Sequence, residues 1–339
     1  MEIKLIGVDT SKHVFALHGV DAAGQPVLRR ELRRAQLEPF FAKLAPCEVA
    51  LEACGGSHDW ARRLAKLGHR VRLIPPQYVK PFVKRGKNDR ADAAAIAEAA
   101  QRPGMASVPV KSAETQAQAM LLKTRDLLVR QRTQTINALR GHAAEFGVVV
   151  PQGTGKVAAL LAAVAADPDV PAAAQAMLAL LGRQIAHLDA EIDALETQLL
   201  ALHKANPLSR LLAGVPGIGP ITALSLALLT EPGQFRSGRH FASFLGLTPK
   251  QNSTAGKTRL GRISKAGNAR LRTLLVIGAT TVIQHARPGS RSASPWLLSL
   301  LARNKSKKLA AVALANKMAR IVWAMMTRGE AYRQPPVSA

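Results

Sequence analysis

Ile3-Lys4-Leu5-Ile6-Gly7-Val8-Asp9 is an apolar run that stops on an acid, and its reading as a strand decides how the N-terminal third folds. A second run, Val49-Ala50-Leu51-Glu52, ends the same way. Asp89-Arg90-Ala91-Asp92-Ala93-Ala94-Ala95-Ile96-Ala97 then sets two acids three apart at the start of an Ala-rich helix. Hard divalent cations such as Mg2+ are held by a few carboxylate oxygens together with substrate phosphates. Two such ions can clamp the attacking and leaving oxygens of a phosphodiester. Asp9, Glu52, Asp89 and Asp92 are therefore the candidate catalytic and metal-binding residues. The plainer reading is of solvated acids at strand ends and a helix start, where Asp89 alone would sit well.

Working outward, residues 14–20 and 27–31 read as strands that follow the first in a meander. A helix at 37–44, a strand at 48–51, a helix at 57–67, a strand at 70–74 and helices at 77–84 and 89–100 come next. Three meandering strands and then alternating helices and strands predict an α/β domain over 1–105, a mixed sheet with flanking helices. The ribonuclease H-like fold has that order.

Residues 106–205 read as a long-helix region. One helix covers 113–146. The next carries Leu178, Leu181, Ile185, Leu188, Ile192, Leu195, Leu199 and Leu202, whose spacing alternates between three and four. That is a heptad seam, the pattern of a coiled coil, and its regularity favours some use between chains. Residues 148–168, with Gly153, Gly155 and two prolines, read as the turn between the helices.

Residues 206–335 read as a basic all-α region. Residues 208–213, Gly214-Val215-Pro216-Gly217-Ile218-Gly219-Pro220 and 221–229 give a helix-hairpin-helix pattern. Gly217 and Gly219 would present backbone N–H groups to phosphate at a helix N-terminus; the alternative is a tight hairpin with structural glycines. Further helices are expected at 267–285, 296–303 and 307–326.

The charge supports a polyanion partner. The 339-residue chain carries a net charge of +25. From Pro232 to Gly329 there is no Asp or Glu, against 18 Lys and Arg. A solvated surface mixes both signs, so this run points to phosphate contact. The candidates are Lys12, Lys87, Lys250, Lys257, Arg259, Arg262, Lys265, Arg270 and Arg272, and Lys305 lies in the same acid-free run. With 4% aromatics, base stacking is not the expected main mode. An anionic membrane is the weaker alternative, since no basic amphipathic terminal helix or lipidation signal is seen. No run of 18 apolar residues and no signal peptide is read, so a cytoplasmic location is expected. Cys47 and Cys54 lack zinc spacing and read as reduced core residues. His13 and His58 are most simply structural.

Within the acid-free region, Thr248-Pro249-Lys250-Gln251-Asn252-Ser253-Thr254-Ala255-Gly256-Lys257 is a polar, Gly-punctuated loop between apolar helices. Its hydroxyls stand among cations, where Arg259, Arg262 and Lys265 would stabilise a pentacovalent phosphorus. By spacing alone this signal is weak, and Ser253 reads first as a loop hydroxyl bonding locally to the backbone.

Asp9-Thr10-Ser11-Lys12, Glu52, Lys87-Asn88-Asp89-Arg90-Ala91-Asp92-Ala93, the heptad helix, Gly-Ile-Gly and Gly-Leu-Thr-Pro-Lys-Gln-Asn-Ser-Thr occur in one order. In that order they resemble the DEDD-type insertion-sequence transposases over about residues 3–328. The resemblance implies a RuvC-like N-terminal domain whose acidic quartet, here Asp9, Glu52, Asp89 and Asp92, binds Mg2+. It implies a C-terminal serine nucleophile that links covalently to DNA, here Ser253 with Thr254 as the competing hydroxyl. Ala255 replaces a glycine often seen in the family. It also implies double-stranded DNA as substrate, a guide RNA encoded by the element, and dimers or tetramers built through the coiled coil. Two other readings stay open: a RuvC-like nuclease or junction resolvase that uses water, and a non-catalytic nucleic-acid-binding protein.

Overall fold

β1 (Leu5–Asp9), β2 (Val14–Val20) and β3 (Pro26–Arg33) form the expected meander. They are followed by α1 (Arg34–Phe41), β4 (Glu48–Glu52), α2 (Ser57–Lys66), β5 (Arg70–Ile74), the single turn α3 (Pro76–Val79) and α4 (Asp89–Gln101). The computed structural model describes residues 2–83, 88–254, 256–287, 294–303 and 306–333. Lys87, Ala255 and Lys305 lie outside the described residues. The sheet order is β3-β2-β1-β4-β5. β1–β2 and β2–β3 are antiparallel, and β1–β4 and β4–β5 are parallel. This mixed sheet is compatible with the ribonuclease H-like arrangement.

Alternation along the strands divides their side chains between two cores. Ile6, Val8, Phe15, Leu17, Val49 and Leu51 pack with α1 and α2 around Trp60 and Leu64. Leu5, Val20, Ala50 and Ile74 pack with Ile96, Ala99 and Ala100 of α4. Gly7 faces α4 as well. A Cβ there would lie 2.4 Å from the Ala93 carbonyl oxygen and 2.6 Å from the Ala97 nitrogen, so only glycine admits the helix at this distance. Arg72 secures the helix's other end, donating to Glu48 Oε1 at 2.9 Å and to the Ala100 carbonyl at 3.0 Å.

The remaining helices are α5 (Ala113–Ala144), α6 (Val157–Ala166), α7 (Ala172–Ala205), α8 (Pro207–Leu212), α9 (Pro220–Leu229) and α10 (Gly238–Phe244). After the short hairpin β6 (Pro249–Gln251) and β7 (Leu260–Ile263) come α11 (Ala269–Gln284), α12 (Pro295–Arg303) and α13 (Lys307–Arg328). The chain divides into two compact units, Met1–Ala117 and Gln118–Ala339. The second unit contains both the long helices and the basic helical region that the sequence analysis separates at residue 205.

Several expectations change here. Residues 148–168 are more than a turn, because they contain α6. Pro151 and Pro168 flank that helix, and Val157, Leu160 and Val164 on one face bury against α5 and α7. The heptad seam is closed inside one chain. Leu178 and Ile185 share a core with Ile136 and Leu139 of α5, and Leu199 joins Leu122 of α5 and Leu224 of α9. The Arg125–Glu196 ion pair and the Arg132–Asp189 pair at 2.6 Å match increasing numbers on α5 with decreasing numbers on α7, so the two helices run antiparallel. The regularity of the seam thus requires no second chain. Helix α10 and the β6–β7 hairpin have no counterpart in the sequence reading: one is short, and the other has strands of only three and four residues, nearly all exposed, without an alternating apolar pattern. Cys54 is exposed and only Cys47 is partly buried; both are free thiols. Helix α13 is long and apolar enough to cross a membrane by length and composition. Its Leu314, Met318 and Val322 nevertheless pack into the main core of the second unit.

Candidate metal centre and nucleic-acid surfaces

Val8 pairs with Leu51 across two parallel strands, so Asp9 and Glu52 are the next residues on neighbouring strand ends. Both have the parity of Leu5 and Ala50 and so face α4. Helix α4 begins there. Asn88 caps it, its side-chain oxygen accepting from the Ala91 N–H at 2.7 Å. Asp89 and Asp92 occupy the first turn. The Gly7–Ala93–Ala97 contact brings that turn onto β1. As a result, one carboxylate oxygen each from Asp9, Asp89 and Asp92 lie within 4.8 Å of one another.

Like charges at this range penalise ionisation. Asp9 is half-buried, and its pKa is pushed up to about 6, first by burial, then by Asp92, Asp89 and Glu52, against a backbone hydrogen bond from Thr10. Glu52 is also raised, by burial and then by Asp92. It stands outside the closest triplet yet within its field. Oxygen donors only, a negative field and partial exposure fit a hard divalent cation. Asp9, Asp89 and Asp92 would hold it, with Glu52 beside them.

The basic candidates separate into two groups. Lys12, Lys250, Lys257, Arg259, Arg262 and Lys265 are exposed. Arg270 is not a free cation. It pairs with Asp126 and donates to the Leu122 carbonyl at 2.8 Å, and burial, then Arg125, lowers its pKa to about 10. Arg272 donates to the carbonyls of Leu245 and Ala266, both at 3.0 Å, and so fixes the turn before α11. These two are structural because helix packing brings acceptors to them. Replacing Asp126 by Ala is expected to cost about 2 kcal/mol in urea unfolding, since it leaves a half-buried guanidinium without its carboxylate.

The glycine hairpin likewise has a packing role at Gly217. Its φ is +85°, and a Cβ there would meet the Gly278 carbonyl at 2.7 Å, where α11 crosses. Gly219 is open and serves as N-cap of α9, but Pro220 follows and removes one N–H from that terminus. Ser253 lies in the β6–β7 loop. Its Oγ accepts from Gln251 Nε2 at 3.0 Å and from the Arg259 N–H at 3.3 Å. Thr254 is exposed and opposes Lys257 in an isolated bridge. His58 accepts from the Lys111 N–H at 3.2 Å, which ties α2 to the segment before α5.

The sequence reading missed Gly7 and Asn88. Gly7 sits two residues before Asp9 on the same strand face, and Asn88 is an N-cap type directly before the acidic turn. Strand parity and the cap rule are the signals for each.

A carboxylate cluster on a mixed sheet, carried in one chain with an acid-free basic helical stretch, fits the class of metal-dependent enzymes that act on nucleic-acid backbone. Comparison with known proteins narrows that class. Residues 6–147 match the DEDD-type IS110 transposase domain, and residues 209–294 match the model described as Transposase IS116/IS110/IS902 family. A Sinorhizobium fredii protein, "Putative transposase y4pF/y4sB", is 54% identical over 98% of this chain and 86% of its own length. The Pseudomonas aeruginosa "Probable family 20 transposase" is 47% identical over 98% of this chain and 99% of its own. The "Transposase for insertion sequence element IS1111A" of Coxiella burnetii is 41% identical over 98% and 92%. The chain belongs to the IS116/IS110/IS902 transposase family. Membership assigns it DNA cutting and rejoining in transposition, and together with the cluster it supports use of a divalent metal.

Proposed function

We propose that this transposase cuts and rejoins double-stranded DNA by two transesterifications, with Ser253 as nucleophile and an Mg2+-binding quartet of Asp9, Glu52, Asp89 and Asp92. The observation that carries the metal part is the convergence of three carboxylates from β1 and α4 within 4.8 Å. Bound there, Mg2+ would neutralise charge on the scissile phosphate. Ser253 Oγ attacks phosphorus, the Oγ–P bond forms, the P–O3′ bond breaks, the serine proton is lost and the 3′ oxygen takes one up. Attack by a second 3′-hydroxyl reverses these bonds and releases the serine, so no water or redox partner is consumed. Exposed Lys250, Lys257, Arg259, Arg262 and Lys265, with Lys12 in the first unit, supply cations for the phosphates. Lys87 and the open Gly219 of the helix-hairpin-helix belong to the same reading. Guidance by an RNA of the element, a RuvC-like descent of the sheet and assembly as a homo-oligomer rest on the family resemblance.

One observation favours a competing reading. Ser253 Oγ is engaged by Gln251 and Arg259, as an ordinary loop hydroxyl would be. In that case water is the nucleophile and the protein is a RuvC-like nuclease. The discriminating experiment incubates the protein with labelled element-end DNA, Mg2+ and the co-expressed element RNA, then denatures it in SDS. We expect a protein–DNA adduct that Ser253→Ala abolishes and Thr254→Ala retains. Cleavage by Ser253→Ala at the wild-type rate, without adduct, establishes the water reading.

A further inference from the structure

We propose that the groove between β3 and α4 holds the sugar-phosphate backbone of the DNA strand that enters the carboxylate cluster. This rests on the reading of that cluster as the cutting site, and it adds residues that neither the family match nor the basic loop points to. Helix α4 packs over β1 and β2, while β3 is the sheet's edge strand. The overhang leaves two adjoining hollows of about 390 and 230 Å3, which share His18, Arg29, Ala91 and Ala94.

Strand parity sets the lining. Arg29 is opposite His18, and Glu31 is opposite Ala16, all on the α4 face. Arg29 is exposed and has no carboxylate partner among the described residues. The acids that line the groove are already matched. Glu31 accepts from Arg90 Nε at 2.5 Å, and Glu98 pairs with Arg102. The side chain of Arg90 remains 79% exposed. The net surplus is therefore positive, and the alanines of α4 make a wall without bulk. Arg90 and Ala91, which line the first hollow, belong to the same first turn of α4 as Asp89 and Asp92, so one wall of the groove and two acids of the cluster are carried by one helical turn. A narrow cationic channel with small walls suits a phosphodiester chain better than a base, which calls for stacking surfaces or edge donors.

The test is binding by the full chain in EDTA, where no cutting occurs, to a fluorescein-labelled single-stranded DNA over a range of NaCl. Removing one phosphate-binding cation lowers the log–log salt slope by about 0.7. Arg29→Gln is expected to show that drop, with affinity down about tenfold at about 0.1 M salt. Ala94→Glu, which fills the groove without removing a cation, is expected to weaken binding as well. Arg70→Gln removes the same charge from the exposed start of β5 and is expected to leave the slope unchanged. Equal slopes for Arg29→Gln and Arg70→Gln, or wild-type binding by Ala94→Glu, overturn the proposal. So does a weakening seen only with RNA of the same sequence. Because no cleavage is read, failure here is separable from failure of the serine or metal assignment.

Discussion

Asp9→Asn is expected to lower DNA cleavage by about a thousandfold or more while making the metal-free protein more stable at neutral pH. The activity loss follows from removing the ligand at the centre of the cluster; a thousandfold corresponds to about 4 kcal/mol, within what a metal supplies to a phosphoryl transition state. The stability gain follows from linkage. The carboxyl of Asp9 titrates at about 6 in the folded chain, against an ordinary 3.8. The folded state therefore binds more protons between those values, and stability falls as pH rises through that window. About 2 kcal/mol is lost by pH 7, after allowance for solvent at a half-open site. The Asn variant does not have this slope. In wild type, Mg2+ binds the ionised form, so its stabilising effect grows as pH rises through about 6. Thermal melting at about pH 5 and about pH 7.5, with and without Mg2+, checks both signs. An Asn variant that is less stable than wild type at the higher pH without metal would show that the repulsion does not govern this site.

Gly7→Val is the second large effect, expected to destabilise the first unit by about 3 kcal/mol or more and to abolish the Mg2+-dependent rise in melting temperature. The added Cβ would lie 2.4 Å and 2.6 Å from backbone atoms of α4, which cannot move aside as a side chain can. Relief requires α4 to lift, and that carries Asp89 and Asp92 away from Asp9. Gly55→Ala is the matched control, because nothing lies within 4 Å of its Cβ position. Urea unfolding of the two variants, read with a Mg2+ titration, separates the outcomes. A Gly7→Val protein that keeps the metal response would mean that the cluster does not depend on this close approach.

Much of the first unit was legible because local chemistry states it. Apolar runs that end in Asp9 and Glu52 read as strands, and the acid pair before an Ala run reads as a helix start. The acid-free run likewise raised the expectation of a polyanion partner, which membership in a transposase family agrees with. What was not legible depended on partners distant in sequence. Arg270 has the look of any surface arginine until α5 places Asp126 against it. The Leu178–Leu202 seam has the period of an intermolecular coiled coil, and period alone does not say which surface fills it. Here α5, α6 and α9 do.

Residue order and short-range periodicity are enough to give the mixed sheet, the four acids and the family. They do not bring Asp9, Asp89 and Asp92 within 4.8 Å, because that depends on a helix seating against a bare glycine backbone on β1. Nor do they say which cations are spent on neighbours and which remain for phosphate. Charge is written in the chain, but its neutralisation depends on distance, and distance is set only when the helices pack.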